Sequence, residues 1–521
     1  MMKKFHLILF FLFSIRIFSQ IDVSTIQSNI FKDDFGESDL EFAESDGKGG
    51  VISIRSFDGL SKEGLSVKHY DSNLQLINQY TLDVDDVHMK GMLVKDNVLN
   101  LILLKKDKKA NEYVYSLYSS DIDNFNFSSK LLFSLDEKFV REYFIGFLFF
   151  FTNLSYMDND SFGDITFSEN KNFFAINLDI KDEKKNLEAH KILVFNSDFQ
   201  RVYLSDFKKQ ISDRLFDYQD LVVDDIDGTV YFIGKSYENN SKSSKRKEET
   251  NYHFEIYKVN EEGQKVISFK NSEQFVNSAY LLHQNNQLFC VGFYSEKNDF
   301  RFKGVFRMQI EPESMSLSNQ VFLPFSEQFM IDKYGEVKNK ELKNINFRNV
   351  FIDKNGDIVI NGEEIIVVFN YVGGLNGMPG YWVTKYYYDD IIAVKIGNDN
   401  SLKWARNINK IQLGDFRYNS HSYFSSFVNG KDYFFVNLSD NIKKLRDDRI
   451  VFLGKKPKKA NLYVIVIDEN GNMDYKKLMD DSEAEVSYNV KDGVFKGVDK
   501  NSVIFQGRKG TNKKLIKVNI N

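Results

Sequence analysis

One pattern recurs eight times along the chain: an apolar run, a short turn rich in Asp, Asn and Gly, then a second apolar run. It reads "FAESDGKGGVISI" at 42–54, "MLVKDNVLNLILL" at 92–104, "ITFSENKNFFAINL" at 165–178 and "LVVDDIDGTVYFIG" at 221–234. It continues as "YLLHQNNQLFCVG" at 280–292, "VFIDKNGDIVING" at 350–362, "SFVNGKDYFFVNL" at 426–438 and "VFKGVDKNSVIFQG" at 494–507. Runs of Val, Ile, Phe and Tyr broken by turn residues are the mark of antiparallel strands, and the 3.6-residue period of helices is almost absent.

Most units carry a further hairpin, such as "HKILVFNSDFQRVYLSDF" at 190–207 and "IIAVKIGNDNSLKWARNI" at 391–408. Two hairpins make a four-stranded sheet. With no helices to cover it, such a sheet is buried most simply against copies of itself arranged in a ring. The expected fold is therefore all-β, a single β-propeller of about seven or eight four-stranded blades occupying residues 21–521. The second runs start at Val51, Leu99, Phe173, Val230, Leu288, Ile358, Tyr433 and Val503, at uneven steps that call for long insertions between strands. Stacked sandwich domains are the rival architecture, but four prolines and the lack of a Gly/Ser-rich spacer favour one closed unit.

The first twenty residues read as a signal peptide. Lys3 and Lys4 precede the apolar "FHLILFFLF" at 5–13, and Ser19-Gln20 forms the exit. That core is shorter than the ~20 residues a membrane span requires. The run "YFIGFLFFF" at 143–151 is likewise too short and reads as a strand, so no transmembrane segment is expected after signal removal. The expected location is exported: periplasmic, outer-membrane associated or secreted. A net charge of −5 gives no global field for nucleic acid. The single cysteine, Cys290 in "LFCVGF", excludes an intramolecular disulfide and reads as a small buried apolar residue.

The Asp/Asn/Gly clusters raise the question of metal. Aligning Gly356 to the invariant glycine of an EF-hand loop puts Phe351 at the first ligand position and Gly362 at the last, so "DKNGD" reads as a turn. The densest acidic group, Asp83, Asp85, Asp86 and His88, reads as a solvated connection. No metal or other cofactor is expected. Nor does the chain contain a G-x-S-x-G elbow, an H-E-x-x-H helix or a phosphate loop.

The candidate binding segment is "YVGGLNGMPGYWVTKYYYDD" at 371–390, where Tyr371, Tyr381, Trp382, Tyr386 and Tyr388 combine apolar area with polar tips among glycines. A structural alternative places Tyr386 and Tyr388 in the core at the start of a strand. Two lysine-rich insertions, 236–253 and 454–461, read as solvated hairpin tips.

The stretches "DDIIAVKIGNDNSLKW" at 389–404, "HSYFSSFVNGKDYFFVNLSDN" at 421–441 and "GRKGTNKKLIKVNI" at 507–520 resemble exported, uncharacterised propeller-type proteins of the Bacteroidetes group, most clearly from about residue 345 onward. The resemblance implies a propeller and an exported location, and it carries over no activity and no site residues. Taken together, the expectation is a non-catalytic propeller that binds a protein or a glycan through loops on one face. The alternative is a glycan-active hydrolase or lyase with carboxylates converging at the central channel.

Overall fold

Eight antiparallel sheets follow one another along the chain, and each recurring sequence unit supplies the first two strands of one sheet. A computed structural model describes residues 21–521 except 33–37, 60–61, 141–162, 182–185, 240–244, 247–248, 272, 298–300, 338–341, 343, 373–380, 415–420, 446–448, 455–459, 492–493 and 497–500. The predicted signal peptide and the 143–151 run thus lie outside the described residues. Blades 1 to 7 span 38–83, 87–136, 164–212, 216–269, 274–324, 345–414 and 423–479. Blade 8 combines 487–520 with the strand Val23–Gln27. The fold is an eight-bladed β-propeller, and the start positions read from the sequence, Val51 through Val503, all fall in second strands.

Ring closure is explicit in the pairing. Val23–Gln27 lies antiparallel against Asn512–Ile520, with Val23 opposite Ile520 and Gln27 opposite Ile516, so the first described strand is the outermost strand of blade 8. Asn521 extends the match by donating its backbone N–H to the Asp22 carbonyl at 3.1 Å. Each seam between adjacent blades then encloses its own apolar core, which is how a chain with few helices hides both faces of every sheet. The seam between blades 8 and 1 has the smallest of these, built on Val51, Tyr70, Leu74, Ile504 and Leu515. Polar groups complete it: buried Arg55 bonds Ser38 and Gln506, and buried Lys513 donates to the Ser38 carbonyl at 2.9 Å. Burial pulls the Lys513 ammonium down to about 8.

The turns between first and second strands share one face of the ring with those between third and fourth strands. Here the Asp-rich clusters find their use. Asp353 Oδ1 accepts from the N–H groups of Asn355 (2.7 Å) and Asp357 (3.0 Å), Gly356 takes φ +79°, and Oδ2 accepts from Lys395 at 2.9 Å. The carboxylate caps its own turn and pairs with a lysine. Asp46, Asp71 and Asp468 cap their turns in the same way. The acidic connection at 83–88 is also a turn: Asp86 has φ +56° and pairs with Lys108 at 3.3 Å, while His88 is exposed on the first strand of blade 2.

Among the described residues, a long side chain of one blade donates to a main-chain carbonyl of the next in seven of the eight seams, in or beside a turn in six of them and just ahead of the strand Val23–Gln27 in the seventh. His69 reaches Ile122 (3.3 Å), Tyr203 reaches Gly228 and Val259 (3.0 and 2.9 Å), and Lys258 reaches Pro312 (3.1 Å). Arg307 reaches Gly397 (3.3 Å), Arg406 reaches Gly471, Lys476 reaches Ile21 (3.3 Å) and Lys517 reaches Gly49 (2.9 Å). Between blades 2 and 3 the reaching residue is instead Lys95, and its acceptors are the side chains of Ser197 and Asp198.

Cys290 is fully buried in the second strand of blade 5, and burial drives its thiol well above the usual range. Among its described residues the 236–253 insertion includes a two-stranded backbone ladder with Lys245 opposite Thr250 and Arg246 opposite Glu249.

Two outcomes are expected. Deleting Val23–Gln27 should speed hydrogen exchange at Ile516–Ile520 by more than tenfold and lower the melting temperature, whereas unchanged exchange would mean that the ring closes without this strand. Asp432, fully buried beside Asn361 in the seam between blades 6 and 7, is pushed up to about 8 by burial. A carboxyl raised on folding holds its proton in the native state only, so stability falls as pH climbs from the unfolded value of 3.8 through about 8. Asp432→Asn should therefore stabilise the protein by roughly 1–3 kcal/mol at pH 8 and change little at pH 4, as read by denaturant titration.

Candidate functional site

Blade 6 departs from its neighbours in length. Its second and third strands run Ile358–Val372 and Tyr381–Ile396, 15 and 16 residues, and its fourth runs Leu402–Gly414. In blade 7 the corresponding second and third strands have 8 and 7 residues. The surplus projects from the face opposite the capped turns, as a hairpin paired from Ile365↔Tyr388 out to Val372↔Tyr381. The segment read as a glycine-bearing loop is therefore strand on both flanks, and only 373–380 lies outside the described residues.

The base of this hairpin is held by buried ions. Lys410 and Glu363 pair at 2.8 Å with both side chains completely inaccessible. Lys410 also donates to the Tyr388 carbonyl (2.9 Å) and Gln412 Oε1 (3.1 Å), and Ser422 donates its hydroxyl to Glu363. Gln412 passes the network on to blade 7 through the Asn437 carbonyl at 2.8 Å. On the other side of the sheet the helix Glu327–Tyr334, N-capped by Ser326 and ended by Gly335, sets Lys333 between Glu364 (2.5 Å) and Asp390 (2.6 Å). Burial works against the Lys333 ammonium, but the Asp390 and Glu364 carboxylates outweigh it and raise its pKa. Burial raises Glu364 despite the same lysine. Asp332 of this helix pairs with Arg406 at 2.5 Å. An insertion of blade 7, Ile450–Leu453, pairs in parallel with residues 409–411 and covers the outer edge of blade 6.

Beyond that base the side chains are apolar and exposed. Ile366, Val367 and Phe369 on the second strand, with Ile411 and Leu413 on the fourth, are between 38% and 55% exposed. The register sets Ile366, Tyr387 and Leu413 in one row across three strands, and Val367 and Phe369 lie on the opposite side of the hairpin. Of the five residues read from the sequence, Tyr386 and Tyr388 are buried, Tyr388 stacking on His421 with centroids 6.1 Å apart. Tyr371, Tyr381 and Trp382 occupy the distal rungs, Tyr371 opposite Trp382, and their side chains lie outside the described residues. The exposed aliphatics escaped notice in the sequence because "EEIIVVFNYV" resembles the buried run of any second strand; its length was the available signal.

The central channel is walled by the first strands. In five blades a register shift in that strand leaves one residue unmatched by the second: Glu41, Lys90, Gln219, Asn277 and Arg348. On the turn face the channel mouth is bridged from blade 3, where Lys171 pairs with Glu44 of blade 1 (2.5 Å) and Glu169 accepts from Gln284 of blade 5 (2.5 Å). These carboxylates are committed to bridges across the opening.

No family model matches this chain, and no curated protein matches it. Among solved structures it is similar to the β-propeller domain of the Trilobed protease from Pyrococcus furiosus, at 10% identity and a TM-score of 0.37 over 87% of this chain and 98% of that one. It is also similar to the acylaminoacyl peptidase of Pyrococcus horikoshii (9% identity, TM-score 0.37, 84% of this chain and 52% of that one). A third is prolyl oligopeptidase B from Galerina marginata (8% identity, TM-score 0.38, 91% of this chain and 55% of that one). The chain spans about half the length of the latter two.

Removing one member of the buried pair leaves the other charge enclosed without its counter-ion. Lys410→Met should cost about 3–5 kcal/mol, and Lys410→Met with Glu363→Leu should recover much of that. A double variant no more stable than the single one in urea titration would show that the network is held by its neutral hydrogen bonds.

Proposed function

We propose that this chain is an exported, non-catalytic propeller that binds a protein through the blade 6 hairpin. The observation that carries the reading is the pairing of an apolar, exposed tip with an ion-locked base. Exposed Ile, Val, Phe and Leu on both sides of a projecting sheet form the kind of surface that partner proteins cover. Holding the base rigid reduces the ordering entropy that binding would otherwise cost. Four of the five exposed residues, all but Phe369, are branched aliphatics with no flat ring for a sugar to stack on, which favours a protein over a glycan at this place. The distal rungs of the same hairpin carry Tyr371, Tyr381 and Trp382, the aromatic residues singled out in the sequence.

Export is supported by the charge and apolar pattern of the first twenty residues. Cleavage after Gln20 would spare Val23–Gln27 and the closure of the ring.

The test is a double variant, Phe369→Ser with Leu413→Ser, compared with the parent chain in cross-linked pull-downs from the cell envelope and on a glycan array. The expected result is a partner protein retained by the parent, weakened at least tenfold in the variant, with a melting temperature within about 2 °C of the parent. Equal capture by both proteins would sink the hairpin assignment, and array binding lost in the variant would convert the ligand from protein to glycan.

A further inference from the structure

The face opposite the hairpin carries a site of another kind. Where the turn ends of blades 2 and 3 meet, the seam opens into a cleft of about 350 Å³. The cause is visible in one row of side chains. Blade 3 presents Ala175, Val194 and Tyr203 toward blade 4, in register across its second, third and fourth strands. Tyr203 fills that seam and ends on the carbonyls of Gly228 and Val259. Blade 2 presents Asn100, Ser119 and Ser128 at the same three places. Short polar side chains stand where the next blade has a tyrosine, and the space it would occupy stays open.

What lines the space defines what fits it. Leu117 and Phe199, both buried, with Val98 beside them, form an apolar floor. Around the floor stand Asn100, Ser119, Ser128 and Ser197, with Ser119 donating to Asn100 Oδ1 at 2.7 Å. The charges cancel: Lys95 and Lys130 are matched by Asp96 and Asp198, and Lys95 is already engaged with Asp198 at 2.7 Å. A neutral ligand is thus favoured over an anion. A small apolar floor ringed by groups that both give and accept hydrogen bonds suits a molecule with a C–H face and a girdle of hydroxyls, and the volume sits at the lower end of the ~300–1,000 Å³ of small-molecule sites.

We infer that the cleft between blades 2 and 3 is a binding site for a neutral disaccharide, separate from the hairpin of blade 6. The two sites lie on opposite faces and share no residue, so either can fail without the other.

Isothermal titration of the full chain with maltose, cellobiose, N,N′-diacetylchitobiose and, as the anionic control, glucose 6-phosphate tests the assignment. At least one neutral disaccharide should bind, and Ser128→Tyr, which installs the plug of blade 3, should weaken it roughly tenfold or more without lowering the melting temperature. Asn100→Ala should weaken the same sugar several-fold, and it decides the matter if Ser128→Tyr fails to fold. Phe369→Ser with Leu413→Ser should leave the titration unchanged. The inference is overturned if no neutral disaccharide binds up to about 10 mM, if the variants that fold bind as the parent does, or if glucose 6-phosphate binds better than the neutral sugars.

Discussion

A ring of sheets leaves its turns in a difficult place. Each blade is a wedge whose turn carbonyls are brought against the neighbouring blade, and a carbonyl shielded from water needs a donor. In seven seams this chain supplies one from the preceding blade: histidine, tyrosine, lysine or arginine, always long enough to cross the gap. The apolar cores drive the blades together, and they are insensitive to small rotations of one sheet over the next. The directional bonds at the rim fix the angle. That division of labour explains why the donors differ in chemistry while the acceptors are all main chain: any long donor will serve, but the turn must come to it at one height. Where the donor row is cut short, between blades 2 and 3, the seam gapes.

The architecture was legible because the property that builds it is local. Alternation of Val, Ile, Phe and Tyr with capped Asp/Asn/Gly turns is repeated in every unit, and Asp353 shows why the turns contain aspartate: one carboxylate oxygen accepts from two backbone donors of its own loop. The site was legible only in part. Tyr386 and Tyr388 alternate into the seam, the outcome a strand period predicts, and the glycines at 373, 374, 377 and 380, which lie outside the described residues, hid in the sequence how far the flanking strands extend. The buried partnership of Lys410 with Glu363 could not be read, since the two are 47 residues apart and brought together by sheet pairing alone. The cleft was equally hidden, because a missing side chain is visible only by comparison with the blade beside it.

Blade 6 shows how a repeat acquires an individual feature. Its core positions remain those of every blade, with Ile358, Ile360, Ile392 and Val394 facing blade 5. The novelty is confined to residues beyond the conserved sheet height, and a helix and an insertion from the next blade brace it. Charged residues do the bracing although hydrophobic ones would be at least as stabilising. They set the hairpin in one orientation, since an ion pair with no access to water tolerates little misalignment.

The closing strand has a further consequence, which concerns time rather than shape. Val23–Gln27 pairs with Ile516–Ile520, a partner that lies eight blades further along the chain, whereas the ladders inside blades 1 to 7 join neighbours in sequence. Until blade 8 has formed, Val23–Gln27 has no strand to lie against. Ring closure is therefore a late event of folding, because it joins the most widely separated partners among the described strands. Seven blades can assemble in order on short-range pairing, but the circle is completed in a single late step. A molecule in which Asn512–Ile520 is not yet paired would be a nearly complete propeller with two open edges, a species set up to associate with others of its kind.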